Sequence, residues 1–120
     1  MRTDVIESVL SDLNGASADI EASAVVSTDG LVMASLLPAN LDEDRVGAMT
    51  AAMLSLGSRT SDELGRGDLQ QTLTRSSDGY VVMTQAGEEA VVTVLAKETA
   101  KLGLVFLDVK RAARDIAKLI

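Results

Sequence analysis

Two nearly identical stretches of the sequence place a hydroxyl, a carboxylate and a glycine ahead of an apolar run. Residues 27–33 read STDGLVM, and residues 76–83 read SSDGYVVM. Such a hydroxyl could act as a nucleophile, and such a loop could hold a phosphate. However, the chain offers the hydroxyl no histidine as a base, and neither stretch matches the glycine-rich phosphate motifs. Because Asp-Gly favours tight turns, we interpret both stretches as hairpin turns of a sheet.

The residues that most often carry catalysis or bind metal are missing from this chain. It has no histidine and no cysteine, which excludes the usual nucleophile–base pairs and the common zinc sites. Three consecutive acids, Asp42, Glu43 and Asp44, lack the alternating ligands and the glycine of a calcium loop. We interpret them as the cap of a helix. We therefore expect no catalytic residue, no metal and no cofactor.

Basic side chains offer two further candidate sites. Arg59, Arg66 and Arg75 could reach into a partner's active site as arginine fingers, but arginine on a helix end, a loop or an edge strand is usually solvated. The last segment carries four more cations, at Lys110, Arg111, Arg114 and Lys118. They could contact an acidic partner or a membrane. Their position near the end of a helix also complements the helix dipole, which is the interpretation we favour.

The composition is typical of a globular chain with an aliphatic core. Of the 120 residues, 47% are hydrophobic, and Tyr80 and Phe106 are the only aromatic ones. A net charge of −7 and the scarcity of aromatic rings disfavour nucleic acid as a partner. No apolar run reaches the roughly 18 residues that span a bilayer, and the N-terminus lacks a signal-peptide pattern. We expect a soluble, cytoplasmic protein without membrane association, built as a single domain over residues 1–120.

Hydrophobic periodicity divides the chain into eight elements. We expect helices at residues 3–14, 42–64 and 102–120, and strands at residues 22–27, 31–36, 69–75, 80–86 and 90–95. The order α-β-β-α-β-β-β-α predicts an α/β (α+β) fold, in which a five-stranded antiparallel sheet carries helices on both faces.

The Asp-Gly pair at residues 29 and 30 also predicts a strand register. If these two residues are the central pair of a type I′ turn, Val26 lies opposite Met33. One step further from the turn, Val25 lies opposite Ala34.

The second helix combines two apolar stripes with no polar face. The first stripe has larger side chains, at Val46, Met49, Met53, Leu56, Thr60 and Leu64. The second has small ones, at Gly47, Ala48, Ala51, Ala52, Ser55 and Ser58. A helix without a polar face is usually covered on both sides, and a chain this short has little left to cover the outside. We therefore expect a second copy of the chain to pack against this helix.

The element order and three segments of the sequence resemble the Roadblock/dynein light-chain family. The segments are VVSTDGLVMAS, the Gly/Ala/Ser-rich second helix, and the closing VVTVLAKETAKLGLVFLDVKRAARDIAKLI. The resemblance covers essentially the whole chain. It implies a homodimer in which the strand after the long helix pairs with its symmetry mate, while the two long helices lie side by side. The dimer interface would then contain Ala48, Ala51, Ala52, Ser55, Leu69, Gln71, Leu73 and Arg75.

The same resemblance implies a function. Prokaryotic relatives of this compact size are typically regulators or scaffolds of small Ras-like GTPases, so we expect a non-enzymatic regulator of such a GTPase. On position alone, the residues facing the GTPase would be Ala52, Ser55, Arg59 and Glu63. One alternative is a structural adaptor in a motor or signalling complex that is indifferent to nucleotide. Another is a small-ligand sensor, which would need a buried pocket with convergent polar groups.

Overall fold

The computed structural model describes residues 2–120, which form three helices and five strands in the predicted order. The elements are α1 (Arg2–Ala16), β1 (Ile20–Ser27), β2 (Val32–Leu36), α2 (Glu43–Glu63), β3 (Gln71–Ser76), β4 (Gly79–Ala86), β5 (Ala90–Lys97) and α3 (Leu102–Ala117).

The five strands form one sheet in the order β2-β1-β5-β4-β3, and every pair of neighbours is antiparallel. Helices α1 and α3 contact each other and pack on one face of the sheet, while α2 packs on the other. The predicted fold class, an antiparallel sheet between helices, is confirmed. The two outermost strands, β2 and β3, are the open edges of this sheet.

The larger core lies between the sheet and the pair α1 and α3. Ile6 and Leu10 of α1 and Val105 of α3 are almost completely buried there, against strand residues such as Val25 and Val92. Each such side chain stabilises the fold by about 1.5–3 kcal/mol when it is fully buried. The core is aliphatic, as the scarcity of aromatic residues predicts.

The core under α2 is smaller and contains a polar contact. Leu54 of α2 packs against Met83 of β4 and Val91 of β5. Beside them the hydroxyl oxygens of Thr50 on α2 and Thr93 on β5 lie 3.0 Å apart in a buried hydrogen bond. Since both threonines are buried, each hydroxyl depends on a protein partner.

The hairpin of β1 and β2 differs from its predicted register. Val25 lies opposite Ala34 as predicted, but Val26 lies opposite Val32 and not Met33, because a bulge follows Val25.

The type I′ turn predicted for this hairpin is also wrong. No residue other than glycine has a positive φ in residues 2–120, so Asp29 cannot be a central residue of such a turn. The N–H of Gly30 donates to the carbonyl of Ser27, and the N–H of Ser27 donates to that of Leu31. This is a three-residue loop, in which a tight turn is followed by Gly30 in the left-handed region at φ 91°.

The sequence pattern does not specify which side of the second helix packs on the sheet. Met49 and Leu56 are 55% and 61% exposed, whereas the residues buried against the sheet are Gly47, Thr50 and Leu54. The reason is a close approach of the backbones. A Cβ atom added to Gly47 would collide with the carbonyl oxygen of Gly30, so only the small side of the helix fits against the hairpin.

The buried threonine pair gives a prediction for stability. Replacing Thr50 by Val leaves the hydroxyl of Thr93 buried without this partner, so we expect a loss of about 1–2 kcal/mol in the free energy of unfolding, measured in urea. Replacing Thr93 by Val should cost a similar amount. In the double variant no unpaired hydroxyl remains, so its loss should be smaller than the sum of the two. Additive losses would show that the two hydroxyls do not depend on each other.

Candidate interface: the outer face of the second helix and the open sheet edge

Helix α2 has defined signals at both ends. At its start the Oδ1 atom of Asp42 accepts a hydrogen bond from the N–H of Asp44, at 3.0 Å. At its end, Gly65 and Gly67 have φ angles of 67° and 82°, which other residues rarely adopt. The predicted bounds of 42–64 agree with the structure, which places the caps at Asp42 and Leu64.

Two of the acids at the start of α2 accept hydrogen bonds, one from the helix backbone and one from a neighbouring strand. Besides the cap at Asp42, the carboxylate of Glu43 accepts a hydrogen bond of 2.9 Å from the hydroxyl of Ser35 on β2. Within residues 2–120, no group of three acidic side chains is arranged so that it could hold a metal ion. The capping interpretation is thus confirmed for Asp42, while Glu43 contacts the neighbouring strand.

Two glycines on the inner face of α2 hold the helix close to the sheet at two places. Gly47 meets the β1–β2 loop, and further along the helix Gly57 lies over the start of β3. A Cβ atom at Gly57 would lie 3.0 Å from a methyl group of Leu69 and 3.2 Å from that of Thr72. The helix thus runs from the hairpin edge of the sheet towards the edge formed by β3.

The outer face of α2 is apolar and exposed to solvent. It presents Ala48, Met49, Ala52, Ser55 and Leu56, all of which are exposed. No charged residue occurs anywhere between residues 46 and 58. We call these five residues the outer face of α2. A contiguous apolar strip of this kind on an otherwise charged protein is typical of an interface.

The predicted helix residues divide between this face and its margins. Ala48, Ala52 and Ser55 belong to the outer face, but Ala51 is half-buried and turns towards Gly30. Arg59 and Glu63, placed one and two turns further on, are both 75% exposed, with 4.0 Å between a guanidinium nitrogen and a carboxylate oxygen. An ion pair this exposed contributes little to stability, so both side chains are available to a partner.

Met49 and Leu56 also belong to this face, although they are absent from the predicted interface residues. Periodicity places both residues in the stripe of larger side chains. It identifies apolar positions but does not identify the side of the helix that packs on the sheet. The available signal was the absence of charge around the whole helix, which already required a second apolar face.

Strand β3 presents an open edge beside α2. It pairs only with β4, and its side chains are exposed except for Thr72, which is half-buried. Just before the strand, the N–H of Gln85 donates to the carbonyl of Gln70. Bonding towards the partner alternates along an antiparallel strand, so the N–H and C=O groups of Gln71, Leu73 and Arg75 point away from β4.

The residues predicted on this strand are therefore mostly at the edge. Gln71, Leu73 and Arg75 lie there, and Leu73 is 44% exposed. Leu69 precedes the strand and is half-buried against the core under α2. The other edge strand, β2, is shorter and is contacted by both α1 and α2. The β3 edge is thus the more accessible of the two.

Every buried side-chain nitrogen or oxygen in the part of the chain that the structure describes has a hydrogen-bond partner. None of the helices formed by residues 2–117 has the length and apolarity needed to cross a bilayer.

Comparison with known proteins gives a family, a relative and two similar structures. The Roadblock/LC7 domain matches residues 6–96 of this chain. Uncharacterized protein MJ1340 of Methanocaldococcus jannaschii is 41% identical over 112 residues, which cover 93% of this chain and 96% of that protein.

The two solved structures share the fold at low identity. MglB with a tetrameric arrangement has a TM-score of 0.90 and 22% identity, covering 98% of this chain and 89% of its own. The gliding protein MglB from Thermus thermophilus has a TM-score of 0.89 and 21% identity, covering 98% and 90%.

The close approach of α2 can be tested with two glycine substitutions. Gly47→Ala would raise helix propensity by about 1 kcal/mol, but its Cβ atom collides with the backbone of Gly30. We expect a net loss of about 1–3 kcal/mol in the free energy of unfolding. Gly103 in α3 is the matched control, since nothing lies within 4 Å of an added Cβ atom there. Gly103→Ala should be neutral or stabilising, and equal stabilisation at both positions would contradict the close approach.

Proposed function

Because the chain belongs to the Roadblock/LC7 family, we propose that it is a homodimeric, non-enzymatic regulator of a small Ras-like GTPase in the cytoplasm. The chain would act as a single domain over residues 1–120. The observation that carries the proposal is the exposed, charge-free outer face of α2, which lies beside the open edge of β3. GTPase regulation is what the resemblance to prokaryotic members of this family implies.

The dimer would form through the edge of β3. Gln71, Leu73 and Arg75 have N–H and C=O groups that point outwards, and an antiparallel copy of the same strand offers matching groups. Pairing centred on Leu73 would place Gln71 opposite Arg75 of the second copy. A two-fold axis perpendicular to the sheet then joins two five-stranded sheets into one. One of the solved structures of this fold, an MglB, is described as having a tetrameric arrangement.

This symmetry would also bring the two copies of α2 together. The axis keeps both helices on the same face of the joined sheet, and each helix already contacts its own β3. Ala48, Ala52 and Ser55 are small enough to let two such helices approach closely. Helix pairing and strand pairing would therefore support each other.

The GTPase would bind the paired outer faces. Ala52 and Ser55 lie in the charge-free centre of this surface, and Arg59 and Glu63 lie at its end. An apolar centre with charged residues at the rim is the usual composition of a protein interface.

Regulation would come from accelerating hydrolysis by the GTPase or from binding one of its nucleotide states more tightly, which shifts its switch loops.

The dimer can be tested by removing a single N–H group from the edge. In Leu73→Pro the outward N–H is lost while the bonds to β4 remain, and proline is tolerated on such an edge. We expect sedimentation to show a monomer with an unchanged circular-dichroism spectrum. Leu73→Ala, the matched control, removes the side chain but keeps the N–H and should remain dimeric. A dimeric Leu73→Pro variant would exclude pairing through this edge, and a monomeric wild type would exclude the dimer.

The GTPase can be tested by binding in both nucleotide states. The small Ras-like GTPases encoded in the same genome would be loaded with a GTP analogue or with GDP and titrated against the protein. We expect tighter binding to the triphosphate state. Ala52→Glu puts a charge where the two helices pair and the GTPase binds, so it should weaken binding about tenfold or more, or ~1.4 kcal/mol. Sedimentation of the same variant distinguishes loss of the dimer from loss of the GTPase contact. Ala18→Glu, at an exposed alanine between α1 and β1, is the matched control and should bind as the wild type does.

Two other outcomes of this titration would count against the proposal. Equal affinity for the two nucleotide states would support the alternative of a structural adaptor. The absence of binding in either state, by every such GTPase, would contradict a role in GTPase regulation.

A further inference from the structure

A groove of about 530 Å³ lies between α3 and the β3–β4 side of the sheet. It is on the face opposite α2. The groove exists because α3 packs over β4 and β5 and leaves β3 uncovered on this face. Six of its lining residues carry the argument: Phe106, Leu107, Lys110 and Arg114 on α3, with Gln71 and Thr84 on the strands.

The charge of the groove is opposite to that of the protein. The chain has a net charge of −7, yet the lining includes two cations and no acidic side chain. Lys110 and Arg114 are four residues apart and so lie on one side of α3, where two like charges oppose each other.

Neither cation is neutralised in the part of the chain that the structure describes. The ion pairs there join Arg59 to Glu63 and Arg111 to Asp108, and leave Lys110 and Arg114 without an acid. Arg114 complements the dipole in the last turn of α3, but neither cation forms an ion pair that stabilises the fold, which is consistent with a role in binding.

The rest of the lining is apolar or able to form hydrogen bonds with a peptide. Phe106 is half-buried, and Leu107 is 51% exposed. On the floor, the amide of Gln71 donates to the hydroxyl of Thr84 at 3.3 Å. Its amide oxygen remains available as an acceptor for the N–H of a peptide.

From these features we propose that the groove binds a short acidic and apolar peptide segment of a partner protein. Its carboxylates would contact Lys110 and Arg114, and its apolar side chains would pack on Phe106 and Leu107. Nucleic acid fits poorly, because two cations and one aromatic ring offer little to a phosphate backbone in a protein of this net charge. A membrane fits poorly because the site is concave. Since a single copy of the chain forms the groove, the proposal does not rest on dimerisation.

This second site would give the protein two separate partners. The groove and the outer face of α2 lie on opposite faces of the sheet, so a protein bound at one does not cover the other. The chain would then connect the protein bound on α2 to a second protein that carries the acidic segment.

The test begins with a phage-displayed library of short random peptides, selected on the wild-type protein. We expect the enriched peptides to combine Asp or Glu with Leu, Ile or Phe. An enriched peptide is then synthesised with a fluorescent label and titrated by anisotropy. In the double variant Lys110→Glu/Arg114→Glu its affinity should fall about tenfold or more, since both contacts change from attraction to repulsion.

Two controls make the result specific. Lys101→Glu/Lys118→Glu makes the same change in net charge near the ends of α3, outside the groove, and should keep the wild-type affinity. Ala52→Glu on α2 should keep it as well, which separates this site from the proposed GTPase surface. Failure of GTPase binding would leave the peptide result unaffected.

Three results would overturn the proposal. The first is a selection that enriches no acidic peptide. The second is an equal loss of affinity in the two charge-reversal variants, which would indicate attraction to the whole molecule. The third is tighter binding of anionic lipid vesicles or single-stranded DNA than of the selected peptide, with the same dependence on Lys110 and Arg114.

Discussion

The outer backbone edge of β3 carries hydrogen-bonding groups that no other part of residues 2–120 pairs. Water can satisfy them, but an accessible edge is also a template for another strand. The opposite edge strand, β2, is shorter and is contacted by α1 on one face and α2 on the other. On β3, by contrast, the side chains stay exposed from Leu73 to Ser76. The sheet therefore has an accessible edge at β3, and the later part of α2, around Gly57, lies beside that edge.

The position of α2 follows from a different constraint, the close contact of two backbones. Gly47 brings the helix against the loop at Gly30, and Gly57 brings it against Leu69 and Thr72. The side that carries Gly47, Thr50 and Leu54 therefore packs on the sheet, and large apolar residues such as Leu56 remain outside. The orientation that lets the helix pack closely on the sheet thus leaves an apolar face exposed to solvent. Folding uses one side of this helix, and the proposed binding would use the other.

Periodicity and turn residues were sufficient to predict the element order, the antiparallel sheet and the bounds of α2. They failed where the outcome depended on contacts between distant residues. The register at Val26 depends on a bulge that the Asp-Gly pair does not specify. The orientation of α2 depends on Gly30 and Gly47 meeting across the fold. The groove beside Lys110 and Arg114 arises because α3 does not extend over β3. The sequence pattern of a single helix does not show how much of the sheet that helix covers.

The most direct measurement of the central claim is amide hydrogen exchange along β3 at increasing protein concentration. The amides of Thr72 and Thr74 point towards β4, so they should be protected at every concentration. If two copies pair through this edge, the amides of Gln71, Leu73 and Arg75 should become protected as the dimer forms. Rapid exchange at these three residues, at concentrations where sedimentation shows a dimer, would contradict pairing through β3.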